Sequence, residues 1–309
     1  MSTIEKAAAK LVSKKKTVQP SESVVEKVNT QAAEVAVNVS DIDNKIVENQ
    51  STTTILHQTC ELDFEMLAEN GFLVPGHNNP QQSQEFRRIK RPLLLNQQPK
   101  IAADLPLPTN LIFITSALPG EGKTFVSLNL ALSLAAELDK RVLLIDGDAA
   151  KQDLSRWMGI ADQPGLVDLL TTGKPYAESS IIDTNVDRLQ VMPCGSMVDN
   201  LDELYASRLM DTLLSGLASF DSNRILIVDG PPLIATTEAA VLARRMGQVV
   251  LVVEANKTPQ SAVEQAAAQL EGCQLVSSLL NKATGSNSAG YGYGYGYGYG
   301  YGQHAKSSE

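Results

Sequence analysis

One stretch of the sequence has the spacing of a phosphate-binding loop: ALPGEGKT, residues 117–124. It fits the Walker A pattern with alanine at the first glycine position. Gly120 and Gly122 would let backbone N–H groups turn inward around phosphate oxygens. Lys123 would reach the β- and γ-phosphates, and the Thr124 hydroxyl would bind Mg²⁺ at the start of the following helix. The predicted nucleotide-binding residues are Ala117, Leu118, Pro119, Gly120, Glu121, Gly122, Lys123, Thr124 and Phe125.

Acidic residues follow two other apolar runs. Asp146 and Asp148 lie in LLIDGDAAK, and Asp229 lies in ILIVDGPPL. A carboxylate at a strand end beside a phosphate loop can hold Mg²⁺, directly or through water. A single Asp after a strand is usually a turn or cap residue, but two such strand ends favour a metal site. The sequence therefore predicts a magnesium nucleotide, with ATP as the default and GTP left open, and the predicted metal ligands are Thr124, Asp146 and Asp229.

The third unusual stretch is YGYGYGYGYGYG, residues 291–302, with a tyrosine at every second position. Glycine at alternate positions removes half of the side chains and adds backbone entropy. We therefore expect a flexible tail rather than a buried strand or helix. By itself, the repeat is equally consistent with a low-complexity end of no particular function.

The elements that must position the loop and the acids follow a regular order. The predicted strands, expected to be buried on both faces, are LIFITS, RVLLID, RLQVMP, RILIVD, QVVLVVEA and QLVSSLLNK. The predicted helices between them are TFVSLNLALSLAAEL, LDELYASRLMDTLLSGLA, TTEAAVLARRM and PQSAVEQAAAQLEG. This order predicts an α/β, P-loop NTPase-like fold, with a mostly parallel sheet covered by helices on both faces. Ligands of such sheets bind at the carboxyl ends of the strands, and the strand before the loop and the helix after it disfavour a chance glycine-rich turn.

Composition and charge argue against several other classes of protein. Of the 309 residues, 43% are hydrophobic, which is enough to form a core. A formal net charge of -9 and a pI near 5.0 argue against a nucleic-acid binder, which needs clustered Lys and Arg. The three cysteines and three histidines are scattered, so neither a disulfide framework nor a zinc site is predicted. No run has the apolar length of a signal peptide or a membrane span, so we expect a cytoplasmic protein.

With these motifs, the sequence resembles the bacterial P-loop protein-tyrosine kinases over roughly residues 60–301. It is most similar to the tyrosine autokinases associated with exosortase and exopolysaccharide loci. The resemblance rests on SALPGEGKTF as Walker A, LLIDGDAAKQDL as the second acidic motif called Walker A′, ILIVDGPPL as Walker B, and the tyrosine-rich tail. Weaker matches are GLVDLLTTG, LDELYAS, GQVVLVVEANKTPQ and LNKA.

The resemblance implies a role for each matched residue. Lys123 and Thr124 would bind phosphate and metal, and Asp229 would be a magnesium residue. Asp146 would act as the base for the acceptor phenol, with Asp148 as its supporting acid, which makes Lys123, Asp146 and Asp148 the predicted catalytic residues. The predicted phosphoacceptors are Tyr291, Tyr293, Tyr295, Tyr297, Tyr299 and Tyr301. The second acidic motif departs from the family, because Ala150, Lys151 and Gln152 stand where a basic pair and a proline are usual.

Upstream of the loop, QEFRRIKRPLL places Glu85, Arg88 and Arg91 three residues apart, which puts them along one helix face. A solvated charged face is the ordinary explanation of such a run. In the family that the sequence resembles, a Glu-x-x-Arg-x-x-Arg helix packs against the neighbouring subunit and assembles a ring. We therefore expect these three residues to form the interface of a homo-oligomer.

Together these features predict a cytoplasmic tyrosine autokinase that uses ATP and Mg²⁺ to phosphorylate its own tail and regulates exopolysaccharide chain length or export. Since no membrane span is found in the sequence, we expect a separate membrane-anchored chain-length or export protein as partner, with the kinase at the inner face of the membrane. The expected regions are a disordered leader at 1–55, a region with the oligomerisation helix at 56–100, the kinase domain at 101–285 and the flexible tail at 286–309.

Two other functions fit parts of the sequence. Partitioning and division-site ATPases, which are nucleotide switches, share this sheet and the same kinds of acidic motif. They typically carry a lysine near the start of the loop, where this chain has Leu118. They also tend to have a membrane-seeking helix or a basic DNA surface, and neither is visible in the sequence. The second alternative is a non-enzymatic adaptor whose tail recruits partners by tyrosine stacking.

Overall fold

The computed structural model describes residues 59–77, 79–173 and 180–283. The strands are β1 (Thr59–Cys60), β2 (Leu111–Ser116), β3 (Arg141–Asp146), β4 (Ile182–Thr184), β5 (Leu189–Met192), β6 (Arg224–Asp229), β7 (Gln248–Glu254) and β8 (Val276–Asn281). The helices are α1 (Phe64–Glu69), α2 (Pro80–Leu95), α3 (Pro99–Ala102), α4 (Lys123–Ala135), α5 (Asp153–Trp157), α6 (Leu166–Thr172), α7 (Leu201–Ala206), α8 (Arg208–Ser219), α9 (Glu238–Ala243) and α10 (Gln260–Gln269).

The strands form one sheet in the order β1-β4-β5-β3-β6-β2-β7-β8. Every neighbouring pair is parallel except β4 and β5, which run antiparallel. The three central strands β3, β6 and β2 bring their carboxyl ends to one edge of the sheet. This edge is where the phosphate loop and both acidic motifs begin, as expected for a fold of this kind.

Two apolar cores lie on opposite faces of the sheet. Along β2, for example, Ile112 and Ile114 belong to the core covered by α1, α2, α4 and α5. The alternate residues Leu111 and Phe113 belong to the core covered by α6 to α10. Side chains that alternate between two buried faces explain why the first four residues of β2 are all apolar. The predicted mostly parallel sheet with helices on both faces is therefore confirmed.

Two local expectations are wrong. β8 is not buried on both faces, because it is the last strand of the described sheet, and Val276 and Leu280 are 44% and 64% exposed. The predicted long helix over 201–218 is two helices, α7 and α8, separated by Ser207 in an extended conformation. The Ser207 hydroxyl accepts a hydrogen bond from the backbone N–H of Met210, which caps the start of α8.

Within the described ranges, none of the helices combines the length and the apolar character that crossing a bilayer requires.

Candidate nucleotide and phosphotransfer site

The phosphate loop connects the end of β2 to the start of α4. Gly120 and Gly122 have φ angles of +85° and +95°, in the left-handed region that glycine tolerates best. At Gly122 an added Cβ would also lie 2.2 Å from the Asn281 side-chain nitrogen, so Asn281 would have to move away from the loop. The loop therefore needs glycine here for two separate reasons, conformation and close packing.

Lys123 is the first residue of α4, and its side chain is almost fully buried. Its ammonium lies 3.9 Å from a carboxylate oxygen of Asp148. Burial raises the pKa of Asp148, and the charge of Lys123 lowers it. The structure therefore brings together the lysine of the phosphate loop and the second acid of the Walker A′ motif.

Asp146 is the last residue of β3 and is fully buried. One carboxylate oxygen accepts a hydrogen bond from the N–H of Asp148 at 3.1 Å. The other accepts from both the hydroxyl and the N–H of Ser155, at 2.6 and 2.9 Å. Burial raises the pKa of Asp146 to about 6, against the opposing effect of these hydrogen bonds. Asp146 is therefore held in one orientation and titrates close to neutral pH.

Asp229 is the last residue of β6, directly opposite Asp146 in the register of the two strands. Its carboxylate accepts hydrogen bonds from the Ser127 hydroxyl, at 2.8 Å, and from the Thr124 hydroxyl. Burial and the neighbouring charge of Asp146 raise the pKa of Asp229 to about 7, although Lys123 lowers it. One site therefore contains the loop lysine, the loop threonine and three carboxyl groups.

Several residues that hold the site together were missed from the sequence. Ser155 orients Asp146, and Ser127 orients Asp229. The Tyr205 hydroxyl donates a hydrogen bond to the carbonyl of Gly147, between the two acids of Walker A′, from a fully buried position. Only Ser127 had a usable signal, because it lies one helical turn after Lys123 on the same face of α4.

Two predicted loop residues use their side chains for contacts within the protein. The Glu121 carboxylate accepts a hydrogen bond from the N–H of Leu118 at 2.7 Å and one from the Thr258 hydroxyl. The Phe125 ring packs against Phe72, with ring centroids 5.2 Å apart. These side chains stabilise the loop and the start of α4, and their backbones remain the groups that could face a phosphate.

The residues present fit a magnesium nucleotide. The described residues contain no group of three His, Cys, Asp or Glu side chains that could hold a metal by itself. Mg²⁺ is typically bound by one or two carboxylates, with substrate phosphates and water completing its coordination. Thr124, Asp146 and Asp229 supply a hydroxyl and two carboxylates of this kind at one end of the sheet.

The remaining predicted site residues lie elsewhere. Glu85, Arg88 and Arg91 are exposed on α2. The opposite side of α2 packs through Phe86 and Leu93 into the core that also contains α4. All six predicted phosphoacceptor tyrosines lie outside the described residues.

Comparisons with known proteins agree with this geometry. A family model described as "ParA: NUBPL iron-transfer P-loop NTPase" matches residues 108–277. The tyrosine-protein kinase YwqD of Bacillus subtilis (strain 168) is 32% identical over 173 residues, which are 55% of this chain and 71% of that protein. This chain belongs to the bacterial P-loop tyrosine kinases. The predicted family and the nucleotide-binding class of the fold are thereby confirmed.

Two further relatives define how far the similarity of this P-loop tyrosine kinase extends. The tyrosine-protein kinase ptk of Acinetobacter johnsonii is 36% identical over 185 residues, which are 59% of this chain but only 24% of that protein. The solved kinase domain of the Escherichia coli tyrosine kinase ETK superposes with a TM-score of 0.60 at 25% identity, covering 78% of this chain and 94% of that one. The chain thus covers nearly all of a solved kinase domain, but only about a quarter of the Acinetobacter protein.

Proposed function

We propose that this chain is a protein-tyrosine autokinase that uses ATP and Mg²⁺ and phosphorylates its own C-terminal tyrosines. The observation that carries the proposal is the convergence of Lys123, Asp148, Asp146 and Asp229 beside the phosphate loop. Phosphoryl transfer needs positioning and neutralisation of charge more than a strong base. The buried lysine would supply positive charge to the phosphates, and the carboxyl groups would hold the Mg²⁺ that supplies more.

Each residue has a proposed role in that reaction. Bound Mg²⁺ would neutralise charge on the phosphates of the nucleotide, and Thr124, Asp146 and Asp229 are the groups that would hold it. Lys123 would bind the β- and γ-phosphates, moving from its present contact with Asp148. The backbone N–H groups of the loop would bind phosphate oxygens at the start of α4.

We assign the base role to Asp146. In the chain without metal, burial raises its pKa to about 6, so the carboxylate is mostly ionised at neutral pH and is available to accept a proton. The Ser155 hydroxyl fixes the orientation of Asp146. Asp148, two residues further on, pairs with Lys123, and its negative charge contributes to the raised pKa of Asp146. Asp146 would take the proton of a tyrosine hydroxyl while the phenol oxygen bonds to the γ-phosphorus and the bond to ADP breaks.

The position of the last described residues supports the tail as substrate. Lys282 contacts the phosphate loop itself, since its ammonium lies 2.7 Å from the carbonyl oxygen of Gly120. Tyr291 follows Lys282 by nine residues, which span at most about 32 Å when fully extended. Tyr301 has a reach of about 68 Å by the same estimate. Each of the six tyrosines therefore has enough chain length to return to the phosphate loop of its own subunit.

We further propose that the kinase assembles through α2. Glu85, Arg88 and Arg91 are all exposed on this helix, whereas Phe86 and Leu93 anchor its other side. An exposed row of charges on a firmly packed helix suits a contact with a second copy of the chain, for which we propose a ring. The proposed role in exopolysaccharide chain length or export implies a membrane-anchored partner, with the kinase acting at the cytoplasmic face.

Incubation of the purified full chain with radiolabelled ATP and Mg²⁺ tests the function. A tyrosine kinase incorporates label on tyrosine, and the label survives alkaline treatment that removes it from serine. A nucleotide switch releases phosphate without labelling protein, and an adaptor does neither. Phosphate release alone, or no reaction at all, would reject the proposal.

A further inference from the structure

A second network holds the phosphate loop from the side opposite to Asp146. At its centre is the carboxylate of Glu121, which is buried and accepts hydrogen bonds from Leu118 and Thr258. The N–H of Glu254, at the end of β7, lies 3.4 Å from the same carboxylate. The loop is thus attached to the ends of its neighbouring strands as well as to β2 and α4.

The end of β8 adds two contacts to the loop backbone. The Asn281 side-chain amide donates to the carbonyl of Glu121 at 2.9 Å, and the Lys282 ammonium donates to the carbonyl of Gly120 at 2.7 Å. Lys282 has a φ angle of +55°, which non-glycine residues adopt uncommonly. Its ammonium also lies 3.3 Å from a carboxylate oxygen of Glu254.

These two contacts fix the direction of two consecutive peptide groups. In a planar trans peptide, the C=O of one residue and the N–H of the next point in opposite directions, and the described residues contain no cis peptide bond. Holding the carbonyls of Gly120 and Glu121 toward β8 therefore turns the N–H groups of Glu121 and Gly122 away from it. Consecutive N–H groups pointing to one side form an anion-binding concavity.

We propose that Lys282 is a positioning residue for the phosphate loop, acting with Asn281 to orient the N–H groups that bind the nucleotide phosphates. This inference rests on the proposed function, because it concerns the same nucleotide. Lys282 stays outside the reaction and acts through the Gly120 carbonyl. Lys282 would keep the loop ordered before the nucleotide binds, so that less conformational entropy is lost on binding.

Lys257 provides a matched control within the same ion-pair network. Its ammonium lies 3.2 Å from the same oxygen of Glu254 that Lys282 contacts. Both lysines are partly exposed, so each ion pair alone contributes little. Among the contacts described for these two lysines, only Lys282 reaches a loop carbonyl. A difference between the two variants would thus report on the contact with the loop and not on the pairing with Glu254.

The experiment compares Lys282→Met, Lys282→Arg and Lys257→Met in the full chain. Calorimetric titration with ATPγS and Mg²⁺ gives Kd, tyrosine labelling gives kcat and KM, and hydrogen exchange without nucleotide reports on peptides that span residues 118–122. For Lys282→Met we expect Kd and KM to rise about fivefold with kcat changed less, and the loop amides to exchange faster. Lys282→Arg should restore most of the affinity, and Lys257→Met should match the unsubstituted chain.

The possible results separate this inference from the proposed function. If the unsubstituted chain binds no ATPγS or labels no tyrosine, the proposed function fails. If it does both, and Lys282→Met has an unchanged Kd or the same effect as Lys257→Met, the positioning role is wrong. Should Lys282→Met lower the melting temperature strongly, Lys282→Ala replaces it, because alanine also removes the donor but places no long apolar side chain against the loop. An unchanged rate of loop exchange in Lys282→Ala would likewise overturn the inference.

Discussion

Asp146 and Asp229 lie directly opposite each other in the register of β3 and β6, each as the last residue of its strand. Side chains at paired positions of neighbouring strands point to the same side of the sheet. Both carboxyl groups are buried, and the charge of Asp146 is, after burial, the next cause of the raised pKa of Asp229. Two acids that oppose each other's ionisation are suited to share a cation.

The first prediction concerns this pair. We expect Asp146→Asn and Asp229→Asn each to lower the rate of tyrosine phosphorylation by at least ~10²-fold, because each weakens metal placement or activation of the acceptor. Initial rates at saturating Mg²⁺ check this, with Asp187→Asn as a control at an acid whose side chain is 88% exposed. Normal turnover in either variant would count against the role assigned to that residue.

The second prediction concerns stability without nucleotide or metal. Burial raises the pKa values of Asp146 and Asp229 to about 6 and about 7, whereas an unperturbed Asp titrates near 3.8. Protonation of these two acids therefore stabilises the folded chain. This contribution to the free energy of unfolding is fully present below about pH 4 and is lost as the pH rises through about 6 and 7. For Asp146 the whole contribution is roughly 3 kcal/mol at most.

Urea unfolding at pH 5 and pH 7.5 measures this contribution. Asp229→Asn removes one of the two protonation sites, so its free energy of unfolding should fall less between the two pH values than that of the unsubstituted chain. EDTA is present throughout, since a bound cation would favour the ionised carboxylates. The same pH dependence in both proteins would mean that Asp229 is already ionised in the folded chain at pH 5.

The third prediction is that Lys123→Met abolishes tyrosine phosphorylation and leaves the fold intact. The ammonium contacts Asp148 at 3.9 Å, and Asp148 can hold a proton once that charge is gone, because burial already raises its pKa. Radiolabelling and thermal melting follow activity and fold, with Lys100→Met, at an exposed position of α3, as control. Autophosphorylation at the unsubstituted rate would show that the active site was assigned wrongly.

The sequence predicts the centre of this fold well for a physical reason. Strands β2, β3 and β6 begin and end at the predicted residues, since strands buried on both faces are continuous apolar runs. It predicts the edges less well. β8 carries the same apolar pattern as a buried strand but lies at the edge of the described sheet, and neighbouring strands cannot be read from local sequence.

The residues of the candidate site also fall into two groups, those that the sequence predicts and those that it does not. Lys123, Thr124, Asp146, Asp148 and Asp229 could be predicted because each lies in a motif of fixed spacing next to a strand. The residues that support them could not be predicted, because their contacts join parts of the chain that only the fold brings together. Tyr205 reaches Gly147 across 58 positions of sequence, and Lys282 reaches Gly120 across 162. Nothing in the residue types marks either contact in advance.

The fourth prediction concerns assembly. We expect simultaneous replacement of Arg88 and Arg91 by Ala to dissolve a higher oligomer and to slow phosphorylation between subunits. Light scattering with nucleotide present checks the oligomer, and Arg87→Ala, at another exposed arginine of α2, is the control. A chain that remains monomeric without any substitution would end the ring hypothesis, and an oligomer unaffected by the double replacement would place the interface elsewhere.

The fifth prediction begins from the charge of the tail. Each phosphotyrosine adds roughly -1.5 to -2 charges at pH 7, so six would add about -9 to -12. The chain already has a formal charge of -9. In an extended segment, tyrosines two positions apart would place their phosphates about 6 to 7 Å from one another, within a Debye length at physiological salt. Each added phosphate should therefore make the next one harder to add, and a modified tail should be repelled from acidic surfaces and from other tails.

We expect Tyr→Phe at Tyr291, Tyr293, Tyr295, Tyr297, Tyr299 and Tyr301 together to abolish most autophosphorylation and to leave the oligomer insensitive to ATP turnover. Tyr205 cannot replace them in the folded chain, because its hydroxyl is fully buried and hydrogen-bonded to the carbonyl of Gly147.

Mass spectrometry of the labelled protein locates the phosphates, and light scattering at low and high salt follows assembly. Phosphate found mainly on Tyr176 or Tyr205 would refute the assignment of the tail as substrate. A ring that persists at low salt with a heavily phosphorylated tail would refute the electrostatic control of assembly, since repulsion between tails is strongest when salt does not screen it.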